Sequence, residues 1–138
     1  MTWCNRFAMD MAQEIAVKLG GNSPFKELID EKTIGYISAS TLHTWLNEKR
    51  GSSGNFIAVD SLEKAWTEYA NKGHLVWFHD SGHIATAIPT TELIERGGHK
   101  VGEVIQAGAS VGRMYLNYAW SSKSFGNIVA TAYMKDGW

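Results

Sequence analysis

The sequence changes character at Gly73, and this change constrains the fold more than any other feature. Before Gly73, apolar residues recur at helical spacing; after it, short apolar runs are separated by turns rich in Gly, Asp, Ser and Pro. These runs predict strands at 74–79, 83–88, 101–107, 113–118 and 127–134, with one helical turn at 91–96. Helices followed by an antiparallel sheet predict an α+β domain, with the N-terminal helices packed on one face of a C-terminal sheet.

The first helix is predicted to begin near the only cysteine. The segment Thr2-Trp3-Cys4-Asn5-Arg6-Phe7 runs directly into Ala8 to Leu19 and stops at Gly20-Gly21. Met11, Ile15 and Leu19 recur every four positions, which predicts one buried stripe. Cys4 then lies at the helix N-terminus, where unpaired N–H groups and the helix dipole favour the reactive thiolate. The alternative is a buried and inert cysteine, the commoner fate of a single one.

Three further helices and one early strand are predicted before Gly73. A short helix follows Pro24, a second begins near Ser40 and ends at Arg50-Gly51, and a third begins at Asp60, whose spacing from Glu63 resembles a capping box. A brief strand is expected at 56–59. The apolar residues that mark the first two of these helices are Phe25, Leu28, Ile29, Leu42, Trp45 and Leu46. The third helix is expected to bury Leu62, Trp66 and Tyr69.

Composition limits the class of protein. A chain of 138 residues with 44% apolar and 20% charged residues fits one domain spanning 1–138. A net charge of −1 and scattered Lys and Arg argue against a nucleic-acid partner. The N-terminus lacks a signal peptide, and no apolar run is long enough to insert in a membrane. The expectation is a protein made in the cytoplasm without an export signal of its own.

A thiol hydrolase needs an imidazole next to the sulfur and a third polar group that orients the ring. Of the five histidines, His83 is the preferred partner for Cys4, because it follows the turn Asp80-Ser81-Gly82 and opens a strand. The small residues Ala85 and Ala87 are expected to share a face with the imidazole and to leave room for the Cys4 helix. Gln106, a polar residue in an apolar run, is the orienting candidate. The alternatives are a simple turn histidine and an edge-strand glutamine.

Four motifs, in this order, resemble the NlpC-type branch of the papain-like cysteine peptidases. They are the Cys4 block, Gly73-His74-Leu75-Val76-Trp77-Phe78, Gly82-His83-Ile84-Ala85, and Val104-Ile105-Gln106-Ala107-Gly108-Ala109-Ser110. The segment 118–125 is similar to the family's Tyr-Trp-x-x-Arg-Phe stretch. The spacing from the Cys block to the His block is similar to that of small amidases delivered by type VI secretion and of phage-encoded lysins. CHAP-type amidases resemble the chain in the order of Cys and His. The chain departs from the pattern at Asn5, at His74 and at Gln106, where the family often has Ser, Asp and His.

The resemblance implies a papain-like fold and a peptidoglycan hydrolase that cuts a peptide or amide bond of the cell-wall stem peptide. Cys4 would be the nucleophile, His83 the general base and Gln106 the third member. Trp3, Asn5 and Trp120 are the substrate-binding candidates beside these blocks. No cofactor or metal is implied. The implied partners are the peptidoglycan peptide and an immunity or delivery protein. The protein would act on the cell wall after delivery by a phage lysis system or a secretion system.

Three other functions remain open from the sequence. A zinc site could use His74, His79, Asp80 and His83, although no His-Glu-x-x-His pair supports it. A non-catalytic wall-binding or structural module could use the same fold, with Trp3 and Trp120 in a groove. An acyltransferase could use the same Cys and His. Trp66 and Trp77 are expected in the core.

Overall fold

The computed structural model describes residues 4–26, 28, 38–50, 54–106 and 112–135, with side chains from residue 7 onward except that of Ser122. The helices are α1 (Cys4–Lys18), α2 (Ala39–Arg50), α3 (Leu62–Lys64) and α4 (Leu116–Ala119); a π-helical turn (Ala65–Tyr69) and a 3-10 turn (Ala70–Lys72) continue α3, and a 3-10 segment covers Ser122–Asn127. The strands are β1 (Phe56–Val59), β2 (Leu75–His79), β3 (Ile84–Ala87), β4 (Ile94–Arg96), β5 (His99–Val101), β6 (Glu103–Gln106), β7 (Gly112–Tyr115) and β8 (Val129–Tyr133).

Six strands form one antiparallel sheet in the order β1-β8-β2-β3-β6-β7. A turn at 80–83 joins β2 to β3, and the β4–β5 hairpin joins the other end of β3 to β6. Because β3 begins at Ile84 and its antiparallel neighbour β6 ends at Gln106, the residues just before Ile84 and those at Gln106 lie at the same end of the sheet. The predicted α+β class with an antiparallel sheet is confirmed.

Both faces of the sheet are covered, so the prediction that the helices pack on one face is wrong. On the first face, α1 and α2 bury a cluster that includes Trp45, Trp77 and Tyr133. On the second face, the helical segment 62–72 and α4 bury a cluster built around Trp66, which stacks on Phe78 with ring centroids 4.8 Å apart. We call these the α1 face and the Trp66 face. Apolar residues on both sides of each central strand made this second layer necessary.

The buried stripe of α1 consists of alanines. Ala8, Ala12 and Ala16 are at most 1% exposed, whereas Leu19 is 48% exposed and Met11 is only half-buried. The predicted stripe of Met11, Ile15 and Leu19 is therefore wrong. A row of small side chains on one helix face leaves little between the helix backbone and its neighbour. This arrangement lets α1 pack closely on the sheet, where it contacts β3 and β6.

Three further differences have local causes. The segment predicted as a helical turn at 91–96 forms β4, the first strand of a hairpin whose turn uses Gly97 and Gly98 at positive φ. The predicted strand 101–107 is divided at Gly102, where a Cβ would lie 2.6 Å from Trp66 Nε1. The cap of α3 is Ser61, whose side chain accepts from Lys64 N–H, and Asp60 instead pairs with Lys64.

Other predicted elements agree with the structure. The helix ending at Arg50 is α2, with Leu42, Trp45 and Leu46 buried, and the early strand is β1. Trp66 and Trp77 are fully buried. Phe25 and Leu28 are also buried, but most of the helix predicted after Pro24, including Ile29, lies outside the described residues. Among the described helices, none has the length and apolar character needed to cross a bilayer.

Candidate active site

The turn between β2 and β3 holds the backbone of His83 in place. Asp80 Oδ1 accepts the N–H groups of Gly82 and His83, each at 2.9 Å, and Asp80 N–H donates to His83 O at 3.0 Å. An aspartate that accepts from the backbone two residues ahead is a common way to close such a turn. The imidazole of His83 therefore starts from a fixed backbone at the end of the sheet, and it is half-buried.

Gln106 is the hydrogen-bond partner of the His83 ring. Its side chain is 4% exposed, and its Oε1 lies against Nε2 of His83. The amide nitrogen of Gln106 donates to Met114 Sδ at 3.4 Å, which fixes the amide with its oxygen toward the ring. An amide oxygen only accepts, so Nε2 carries the proton and the basic lone pair is on Nδ1. An amide oxygen in this position favours the tautomer of His83 that is protonated at Nε2.

Trp120 packs against the same imidazole. The ring centroids of Trp120 and His83 are 4.7 Å apart with an interplanar angle of 57°. The indole Nε1–H donates to Asp80 Oδ2 at 2.8 Å. Trp120 is 8% exposed, so most of its surface supports His83 and the core, and only an edge remains for a substrate.

Helix α1 begins at Cys4, as the sequence predicts. Met11 and Ile15, in the second half of the helix, line a cleft with 86–89 at the far end of β3. The first turn of α1 is therefore directed toward the other end of β3, where His83 and Gln106 lie. The side chains of Cys4 and Asn5 and the whole of Trp3 lie outside the described residues, so the predicted roles of these three residues stay predictions.

Strand alternation places His83 and Gln106 on the Trp66 face. Ala85 and Val104 are part of the Trp66 cluster, and Gln106 follows Val104 by two residues. Ile84 belongs to the cluster on the α1 face. The prediction that Ala85 and Ala87 face the Cys4 helix is wrong, because Ile84 faces it instead.

A second pair of histidines, which the sequence did not reveal, lies on the α1 face. His43 Nδ1 of α2 lies 2.8 Å from His79 Nδ1 of β2, and His79 Nε2 lies 2.8 Å from Thr131 Oγ1. Asn47 Nδ2 donates to His43 Nε2 at 3.1 Å, so His43 donates through Nδ1 to His79, and His79 donates through Nε2 to Thr131. All four ring nitrogens are engaged in this chain.

Burial keeps the histidine pair neutral. It lowers the pKa of His79 to about 3, an effect to which His43 and Arg50 add. Burial also lowers the pKa of His43, partly opposed by the negative charge of Asp80. Because both lone pairs are engaged, neither ring offers a base to a thiol, and His83 is the better candidate for that role.

The zinc hypothesis finds no support in the described part of the chain, where no three His, Cys, Asp or Glu side chains converge on one point. His79 faces His43 and Thr131, and His83 faces Gln106 and Trp120. His99, at the start of β5, is exposed, and its ring contacts that of Phe125 in the 3-10 segment. These partners divide the histidines among separate environments.

Comparison of the chain with protein-family models, with curated proteins and with solved structures finds no match. The site is therefore interpreted from its own geometry. Sequence reasoning placed His83 beside Gln106 but missed the use of Asp80, although Asp-Ser-Gly is typical of a turn closed by the aspartate side chain. The His43–His79 pair had no local signal, because the two residues are 36 positions apart.

Proposed function

We propose that this protein is a thiol hydrolase that cleaves a peptide or amide bond of the peptidoglycan stem peptide, on a papain-like fold. Cys4 is the nucleophile, His83 the general base and Gln106 the residue that orients the ring. The observation that carries the proposal is the buried Gln106 amide, which accepts the Nε2 proton of His83 and leaves basicity at Nδ1. The substrate class comes from the motif resemblance.

The arrangement suits general-base activation of a thiol. Nδ1 of His83 takes the proton of Cys4 Sγ, and the sulfur attacks the amide carbonyl. The imidazolium then returns this proton to the leaving amine, which gives an acyl thioester. Water, activated by the same ring, hydrolyses the thioester and regenerates the thiol. The N–H groups at the start of α1 are natural donors to the oxyanion, since removing one such donor costs about 3–4 kcal/mol in other enzymes.

The test compares wild type, Cys4→Ala and His83→Ala on purified peptidoglycan, with mass spectrometry of the soluble muropeptides. We expect both variants to release no products while keeping the circular dichroism of the wild type. His99→Ala is the matched control, because this histidine is exposed and lies at the opposite end of the sheet. Digestion by Cys4→Ala at the wild-type rate would falsify the thiol mechanism.

Iodoacetamide labelling separates the hydrolase from the alternatives. A catalytic thiol reacts well below pH 8, and the rise in its rate moves to higher pH in His83→Ala only if the ring lies next to the sulfur. Labelling that requires unfolding would show a structural cysteine and favour a non-catalytic wall-binding module. Rapid labelling without muropeptide release, but with acyl transfer to an added amine, would favour an acyltransferase.

A further inference from the structure

Asp80 connects three groups of the site through one carboxylate. Its Oδ1 accepts from the backbone of Gly82 and His83, and its Oδ2 accepts from Trp120 Nε1. The hydrogen bond to the indole joins the β2–β3 turn to the segment after α4, 40 residues later. Each oxygen thus has a different task, and both tasks concern the surroundings of His83.

The imidazole of His83 is confined by Gln106, which binds Nε2, and by Trp120, which Asp80 holds. The rings of Trp120 and His83 are tilted by 57° with their centroids 4.7 Å apart. Loss of the Asp80–Trp120 hydrogen bond would free the indole and leave a buried N–H without an acceptor. The orientation of the ring therefore depends on Asp80 through the backbone and through Trp120.

Asp80 also supplies charge that Gln106 lacks. A neutral amide stabilises an imidazolium less than a carboxylate does, and the proposed reaction forms an imidazolium. Among the described residues of β6 and β7, the charged side chains are on the other face of the sheet: Arg113 lies opposite Ile105 and forms an ion pair with Glu103. On the α1 side, His43 interacts with Asp80 but is neutral at pH 7, because burial lowers its pKa.

We propose that Asp80 is a positioning residue for His83, which fixes the ring through the turn and through Trp120 and favours its protonated form by charge. The catalytic part of this inference rests on the proposed function. The electrostatic part of the inference does not depend on catalysis, because the charge of Asp80 should affect the protonation of His83 in the protein without substrate.

The experiment is an NMR titration of the His83 Cε1 proton in the protein without substrate, assigned by comparison with His83→Ala. Asp80→Asn keeps an oxygen for the two turn N–H groups but removes the charge and the acceptor of the Trp120 indole N–H, and we expect it to lower the pKa of His83 by about half a unit to one unit. Trp120→Phe keeps the charge, so the pKa should move by less than about 0.2 units. Glu95→Gln, in the hairpin at the opposite end of the sheet, is the charge control.

Kinetics then test the positioning role. Asp80→Asn and Trp120→Phe should each lower kcat at least about fivefold with little change in KM, because ring orientation affects the reacting complex more than binding. An unchanged His83 titration in folded Asp80→Asn would overturn the inference, and if that variant fails to fold, an unchanged kcat in Trp120→Phe would do so. A shifted titration in a protein that cleaves nothing would support the Asp80 role and reject the proposed function, so the two failures are distinguishable.

Discussion

At the scale of single residues, the His83–Gln106 contact is the most informative feature of the molecule. An amide is a poor choice for stabilising charge but a good one for fixing a tautomer, because its oxygen can only accept. Its own nitrogen is held by Met114 Sδ, so the amide has a defined orientation. Gln106 is therefore a specific partner of His83 rather than a polar residue that happens to be buried.

Replacing Gln106 with alanine should separate this role from simple packing. Gln106→Ala removes the acceptor of the His83 Nε2 proton and opens a small cavity, so we expect a loss of about 1–3 kcal/mol in the free energy of unfolding. We also expect hydrolysis to fall at least about tenfold, because the neutral ring can then adopt either tautomer. Urea unfolding and muropeptide release measure the two effects.

The control for this change is Gln13→Ala, which removes an exposed glutamine from α1 and should alter neither quantity. A Gln106→Ala protein with wild-type activity would show that another group sets the tautomer of His83.

Sequence reasoning reached this contact because both residues carry local signals. His83 follows a recognisable turn, and Gln106 stands out in an apolar strand. Alternation along a strand shows which residues share a face of the sheet, but not which helices cover that face. For this reason the sequence predicts Ala85 on the α1 face, whereas it lies on the Trp66 face. The alanine stripe of α1 was missed because a periodic search gives more weight to large apolar residues than to small ones.

At the scale of elements, α2 is joined to the sheet by two polar links as well as by its apolar face. Arg50 Nη2 donates to Ala130 O of β8 at 2.8 Å, and His43 donates to His79 of β2. Both links need a partner in a particular charge state: the guanidinium must be protonated and His79 must be neutral. The second requirement makes the attachment of α2 sensitive to acid.

This sensitivity predicts a pH-dependent stability. His79 has a pKa of about 3 in the folded protein and about 6.5 when unfolded, so between these values the unfolded chain binds more protons. The free energy of unfolding should therefore fall as the pH falls below about 6.5, with a slope approaching about 1.4 kcal/mol per pH unit from this group. Urea unfolding at a series of pH values measures the slope.

The slope is assigned to His79 by comparison with His79→Gln, which keeps hydrogen-bonding capacity but cannot be protonated. We expect the variant to be less stable at pH 7 and less dependent on pH below 6.5. His99→Gln, which removes an exposed histidine, should keep the wild-type slope. Equal slopes in wild type and His79→Gln would show that the histidine pair does not govern acid stability.

At the scale of the whole molecule, the central feature is the position of β8. This strand lies between β1 and β2, pairs with β2 along its full length and with β1 over 130–133. It places Thr131 beside His79 and Tyr133 in the cluster on the α1 face. Most strands of the six-stranded sheet were predictable from alternation and turn residues, whereas β4 was predicted as a helical turn. The order of the strands was not predictable, because β8 pairs with partners at least 50 residues away, and no local pattern encodes such pairings.

Removing β8 should therefore prevent folding rather than weaken it. A chain ending at Asn127 loses the strand that joins β1 to β2, so we expect no cooperative transition in urea by tryptophan fluorescence. A matched control inserts three residues, Gly-Ser-Gly, between Gly97 and Gly98 at the tip of the β4–β5 hairpin, where both residues are exposed. This control should unfold cooperatively, since loop tips tolerate insertion. Cooperative unfolding of the shortened chain would show that the remaining strands close without β8.

The place of β8 also sets a timetable for biosynthesis. Translation proceeds from the N-terminus, so β1 and β2 leave the ribosome roughly fifty residues or more before the strand that must enter between them. During this interval both keep an open edge, and nascent chains held by a chaperone would be spared from aggregation. The hydrogen bond from His79 to Thr131 and the contribution of Tyr133 to the α1 face therefore form only after synthesis has passed Tyr133.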